Sequence, residues 1–516
     1  MLGQMELNWL DYTTIGIYAM VVVSLGLWFA RQQHSSRSYF VADRSFTWMP
    51  MAISQLASLL SAVSYLGTPG ETYNYDLKYI VMSFAALTAI PIAIYLFIDF
   101  FYRLNVISIY EYLERRFNYA TRVLGSIIFI IMRVAWMATI VSATSIFVHK
   151  LTGMAAWQCI VLTATVSTIY TLLGGMKAIV WTDVIQFILF TGGLVGALVV
   201  IGLHDSPKEM VDVLVQDDKL KFLDFRLDPT LRINTFAAIM AGIVGGLANV
   251  TDQVSMQRYL SSKSLRQAHK ALWVKPLLGI PLILMLFGLG LALYAHYNLH
   301  PGMAKGITKG DEAFPHFILT EMPHGLAGLV IAAVFAAAMS SIDSGIHTLS
   351  TVTIEDYYKR LIEPDMTDRK CLFLARCLTV FWAILVTFAA LLFSRIGSIV
   401  EMMNKLASPF FGCAVGIFIL GTATRRTRAW GAFGGGLIGL GLMSWVMLCI
   451  GRVDGRWYMF TRAENVVRIS WIWYAVVSFL GTVIPGYVIS LFLPKSGAGP
   501  GKSKGLNIWE QAAKTS

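Results

Sequence analysis

The chain has 516 residues, of which 56% are hydrophobic and 14% charged, and its formal net charge is +11. So small a charged fraction is not that of a soluble domain, and apolar runs of roughly 20 residues, each able to cross a hydrocarbon core of about 30 Å, recur from end to end. The same run length excludes a β-barrel, whose strands need only about 10 alternating residues, and leaves an all-α polytopic membrane protein. Thirteen apolar segments follow in chain order, near 10–30, 47–68, 79–101, 123–148, 157–173, 180–202, 233–257, 272–296, 325–352, 372–393, 399–423, 429–450 and 470–493. The opening "MLGQMELNWLDY" lacks a basic region, so no cleavable signal is expected.

Lysine and arginine set the orientation. With "RQQHSSRSYFVADR" (31–44) in the cytoplasm and alternating crossings, most of the 41 basic residues fall on the cytoplasmic side, and Arg133 and Lys405 are placed inside helices. The expectation is an outside N-terminus and a cytoplasmic C-terminus in a plasma membrane, with a bacterial inner membrane as its setting. The basic excess then reads as a topology signal, and no nucleic-acid partner is expected. The five cysteines form no CxxC or Cys/His cluster, the histidines show no ligand spacing, and no HExxH or GxSxG motif occurs. No disulfide framework, metal centre, cofactor or enzymatic activity is therefore expected.

Two sets of five segments, 47–202 and 233–423, must run in opposite senses. A leading helix and cytoplasmic loop (1–46), two trailing helices (429–493) and a Gly/Ser/Lys-rich tail (494–516), expected to be disordered, complete the chain. Each set opens with small and polar residues: "SQLASLLSAVSYLGTPG" (54–70) and "AGIVGGLANVTDQ" (241–253). Interrupted helices at matching places in inverted halves point to a transporter with a binding site at mid-membrane. Close helix packing through small residues is the other reading.

Ionisable groups at membrane depth are rare and usually functional; here they are Arg133, Asp183, Asp252 and Asp343. In "FAAAMSSIDSG" (335–345), Ser340 shares a helix face with Asp343 and Ser344, and Ser341 with Ser344. The carbonyl of Ala337 lies one turn back. Two hydroxyls with unwound backbone carbonyls make a small, nearly neutral cage of oxygens suited to a hard monovalent cation, with Na⁺ the natural candidate. Serines bonding back to their own helix are the alternative. Asp183 is either a solvated helix end or a partner for Asp343 and Ser344. Two carboxylates so close would hold a cation or a proton.

Four blocks, "GGMKAIVWTDVIQ" (174–186), "TDQVSMQRYLSSKS" (251–264), "FPHFILTEMPHGLAGLVIAAVFAAAMSSIDS" (314–344) and "RRTRAWGAFGG" (425–435), resemble signatures of the sodium:solute symporter family. The resemblance implies the leucine-transporter fold, with two inverted five-helix repeats, one leading helix and two trailing ones. It implies a first sodium site at Ala57, Leu60, Ala337, Ser340 and Ser341. It implies a second at Asp183 and Ser344, where Asp343 replaces a usual Ser or Thr, so that this second place takes sodium or a proton. The expected function is a sodium-coupled symporter importing a small organic solute, with Na⁺ and the bilayer as its partners and no obligate protein partner.

The solute cavity is expected along Gln55, Ser58, Ser61, Ser64, Tyr79, Ser83, Asn249 and Gln253. Arg133 could grip a carboxylate with two parallel hydrogen bonds, which favours an organic anion, a monocarboxylate or an acidic sugar. "LSAVSYLGTPGETY" (60–73) resembles the monocarboxylate and vitamin branch of the family, whereas "TDQV" resembles the sugar branch. In the sialic-acid branch an arginine sits on the helix of Arg133, and Trp136 takes that aligned position here. An ion pair between Arg133 and Asp252 is the competing reading. The remaining alternatives are a neutral-solute sodium symporter, a proton-coupled transporter and a membrane receptor, the last disfavoured because no signalling module is seen after residue 493.

Overall fold

The computed structural model describes residues 8–31, 35–393, 398–453, 456–459, 467–494 and 506–507. The 494–516 tail thus lies almost wholly outside the described residues. Among those described, nine helices are long and apolar enough to cross a membrane, or twelve if each bent pair is one span, and a shorter apolar helix, Ala156–Thr165, fills the fifth expected segment.

In chain order the elements are α1 (Trp9–Ala30), α2 (Trp48–Leu59) and α3 (Val63–Asn74), α4 (Tyr79–Thr88) and α5 (Ile90–Leu104), α6 (Tyr119–Thr152) and α7 (Ala156–His204). Then come α8 (Thr235–Thr251), α9 (Gln253–Leu260), α10 (Leu265–Leu299), α11 (Leu326–Val352), α12 (Asp368–Phe393), α13 (Ile399–Thr422), α14 (Ala429–Cys449) and α15 (Tyr474–Phe492). α7 is two helices joined at Gly175, whose φ of 55° and ψ of −176° only glycine adopts without strain. A three-stranded antiparallel sheet, β1 (Ile450–Val453), β2 (Arg456–Met459) and β3 (Val467–Arg468), fills what reads in sequence as a plain loop between α14 and α15.

Large apolar side chains such as Phe492 and Leu203 stand 85% and 80% exposed on the outer faces, which suits lipid as the surrounding solvent. α11 is the opposite case: nearly every residue from Val330 to Val352 is buried. It packs against α7, and α1 lies across both, with Tyr18 and Val22 against Ala332, Ala336 and Met339. Asp11 of α1 accepts hydrogen bonds from the N–H groups of Gly325 (2.7 Å) and Gly328 (2.8 Å). That carboxylate sits at the positive N-terminal end of α11 and holds it in place.

Candidate functional site

Two spans break inside the molecule. α2 and α3 meet at 61°, across Leu60 with ψ of 86°. α8 and α9 meet at 52°, across Asp252 with ψ of 130°, whose side chain accepts from the N–H of Val254 and so caps α9. Each break leaves backbone groups without helical partners in the interior. At such depth irregular backbone is tolerated only where protein or a cavity meets it.

The first break is met by α11. The Ser340 hydroxyl donates to the carbonyls of Ala57 (2.9 Å) and Ala337 (3.1 Å), and that of Ser341 donates to the carbonyl of Ser58 (3.0 Å). Ala57, Leu60, Ala337 and Ser340 line one small pocket with Gln186, Phe187 and Phe190. The five residues expected at the first cation place therefore converge, with Ser58 added to them. Every donor is an uncharged oxygen, and all but that of Leu60, at the break itself, belong to buried residues of two helices. That composition fits a desolvated monovalent cation, and the hydroxyls can turn their lone pairs from the carbonyls to an ion.

The second expected place holds a residue the sequence reading assigned to a loop. Arg258, 1% exposed, donates from Nη2 to Asp183 (2.9 Å) and to the hydroxyl of Ser344, and from Nε to the hydroxyl of Ser54 (2.8 Å). Ser54 donates in turn to the same Asp183 oxygen, 2.5 Å away. Asp343 accepts from the N–H of Ser344 (2.5 Å) and from its hydroxyl (3.1 Å). Asp183, Asp343 and Ser344 are thus together as expected, but a guanidinium is the cation beside Asp183.

A cavity of about 290 Å³ lies between the two breaks. Of the expected solute residues, Tyr79, Ser83 and Asn249 line it, as does Leu60, which faces both this cavity and the small pocket. The others lie elsewhere. Gln55 is fully buried with neither end of its amide partnered, Ser58 bonds back to Gln55, Ser61 accepts from the N–H of Val63, and Ser64 is half-buried off the cavity. Gln253 straps the 105–109 turn, accepting from the N–H of Ile109 (2.8 Å) and donating to the carbonyl of Ile107 (2.6 Å). Arg133 forms a buried ion pair with Asp252 and lies over the rings of Phe129 and Trp136.

The cavity instead contains Lys275, on α10 just before Pro276, together with Asn404, Ser408 and Trp136. None of the ion pairs among the described residues includes Lys275, and the Trp136 indole N–H is buried without a partner. The signal for Lys275 was in the sequence. It follows "ALWV" and precedes "PLLGIPLILM", so it sits within an apolar run and not before it.

The profile of the sodium:solute symporter family matches residues 39–439. The chain is 30% identical to sodium-coupled monocarboxylate transporter 2 of Homo sapiens, over 93% of this chain and 83% of that one. It is 28% identical to the sodium/sialic acid symporter NanT of Aliivibrio fischeri, over 93% of this chain and 92% of that one. A solved Na⁺-coupled sialic acid symporter, in a substrate-bound outward-open state, matches with a TM-score of 0.83 at 25% identity, covering 94% of this chain and 99% of that one.

Proposed function

The chain belongs to the sodium:solute symporter family, as a multi-pass sodium-coupled symporter and not an enzyme, and from that premise we propose that it carries a small organic anion whose carboxylate is held by Lys275. The observation that carries the proposal is a lysine facing the interior cavity with no carboxylate paired to it. A half-buried ammonium facing an interior cavity favours an anion beside it, and a solute carboxylate supplies one. Trp136, Ser83, Asn249, Asn404 and Ser408 offer the hydrogen bonds that orient the rest of the solute. Relatives named for monocarboxylate and sialic acid, both carboxylates, support the reading.

The cation occupies the Ser340, Ser341, Ala57 and Ser58 cluster, with Leu60 and Ala337 beside it. Leu60 joins this place to the solute cavity, so each ligand restrains the same helix break. Each then raises the affinity of the other by the same factor. Arg258 takes the role of a second coupling ion beside Asp183, which favours one sodium ion per solute. Segments 47–202 and 233–423 act as inverted repeats about the breaks at Leu60 and Asp252. The chain sits in a plasma membrane with its N-terminus outside, as the distribution of basic residues supports.

The test is uptake into proteoliposomes under an inward sodium gradient, with lactate, sialic acid and glucose as solutes. The wild-type protein accumulates a carboxylate, and Lys275→Gln raises its KM roughly 10-fold or more, since hydrogen bonds to charged groups contribute about 1.5–3 kcal/mol. Sodium-driven glucose uptake that no carboxylate inhibits would overturn the assignment.

A further inference from the structure

Away from the cavity, at the ends of α7 and α10, three side chains with metal-binding atoms converge. Asp205 follows α7 directly, and His296 and His300 are four residues apart on one face of α10. Their ligand atoms all lie within 4.8 Å of one another, the only such group among the described residues. Nδ1 of His296 is 2.5 Å from one oxygen of Asp205, and Nε2 of His300 is 2.7 Å from the other. The two rings are 5.1 Å apart. The i, i+4 spacing of His296 and His300 is in the sequence, but Asp205 lies 91 and 95 residues away, so the group shows only in the fold.

We propose that Asp205, His296 and His300 form a site for a divalent transition metal of the Zn²⁺ class. Two imidazoles and a carboxylate are a ligand set that zinc accepts, with water completing the shell, at bond lengths of about 2.0–2.2 Å. The present separations are those of hydrogen bonds, so an ion displaces the shared protons and opens each contact by under about 1 Å. Both ring nitrogens of His296 donate, Nδ1 to Asp205 and Nε2 to Glu321, and an ion would take the place of the Nδ1 proton. Glu321, after the short helix Ala313–Thr320, bonds to Nε2 of His296 and so keeps the proton there. That leaves Nδ1 facing Asp205 and His300, the arrangement of a carboxylate orienting a metal-bound histidine. Asp205 and the His296 ring are almost fully buried, and the His300 ring is 44% exposed, which gives an ion a way in. A bound ion would tie the end of α7 to the end of α10, the helix that also carries Lys275.

The experiment is calorimetric titration of ZnCl₂ into the purified full chain at neutral pH, without sodium or solute, so that it stands or falls apart from the transport assignment. All samples carry Cys377→Ser to remove the exposed thiol. The expected result is one saturable Zn²⁺ per chain, lost in His300→Ala and weakened about 10-fold or more in Glu321→Gln. His300 is half-exposed, so its variant keeps the fold, which an unchanged elution profile and Tm would establish. No saturable binding by the Cys377→Ser protein, or binding that His300→Ala leaves intact, overturns the proposal.

Discussion

Replacing Asp252 with Asn tests whether Arg133 is a structural cation or a solute-binding one. Asn keeps the size and the capping ability of Asp at the start of α9 and removes only the charge. The Arg133 side chain is 6% exposed, that of Asp252 5%, and Nε of Arg133 is already buried without a partner. Breaking a buried pair by neutralising one member costs about 3–5 kcal/mol, because the other charge is stranded. Unfolding entropy is about 2.1 cal/mol/K per residue, so 516 residues give about 1.1 kcal/mol/K and the loss lowers Tm by about 3–5 °C. Adding Arg133→Gln removes the stranded charge, and the double variant regains at least half of that loss. The assay is thermal unfolding of the purified protein beside sodium-driven uptake, for the two single variants and the double. A wild-type Tm for Asp252→Asn would refute the reasoning. So would a stable double variant without uptake, which would return Arg133 to the solute.

Gly246 lets α8 approach α4, and a Cβ there would meet the carbonyl oxygen of Ala86 at 2.3 Å; Gly246→Val therefore destabilises by about 1–3 kcal/mol, read as a lower Tm and reduced uptake. Burial pushes the carboxyl of Asp311 up to about 6 from 3.8, against the lowering effect of a hydrogen bond from the N–H of Ile399. Since the folded value is the higher one, its contribution is full below about pH 4 and is lost as pH rises to about 6. Asp311→Asn accordingly flattens the fall of Tm between pH 4 and 6, and an unchanged slope would count against it. With Arg258 beside Asp183, sodium activates uptake with a Hill coefficient near 1; a value near 2 would place a second ion there.

The spans were legible because each apolar run is long enough to cross a bilayer. The two breaks were legible because Ser54–Gly70 and Ala241–Gln253 are too small and polar for plain lipid-facing helices. Ser340 and Ser341 could be placed opposite broken backbone from helix periodicity and the resemblance together, and the structure brings them to Ala57 and Ser58. What could not be read was the depth of charges near helix ends. Arg258 lies within a few residues of a loop, and the bend between α8 and α9 accompanies its turn inward to Asp183. Nor does polarity reveal its own use. Gln253 sits just past the break at Asp252 yet spends its amide on the 105–109 turn. Asp205 and the α10 histidines meet only because two helix ends do.

The central claim is that sodium binds where α11 meets the broken first repeat helix. Its most direct test is the Tm of the purified protein in NaCl against choline chloride, for the wild type and for Ser340→Ala/Ser341→Ala. At about 100 times its Kd a bound ion stabilises by about 2.7 kcal/mol, so the account predicts a sodium-specific rise of roughly 2–3 °C in the wild type and none in the variant. No rise in the wild type, or a rise that the variant retains, would contradict it.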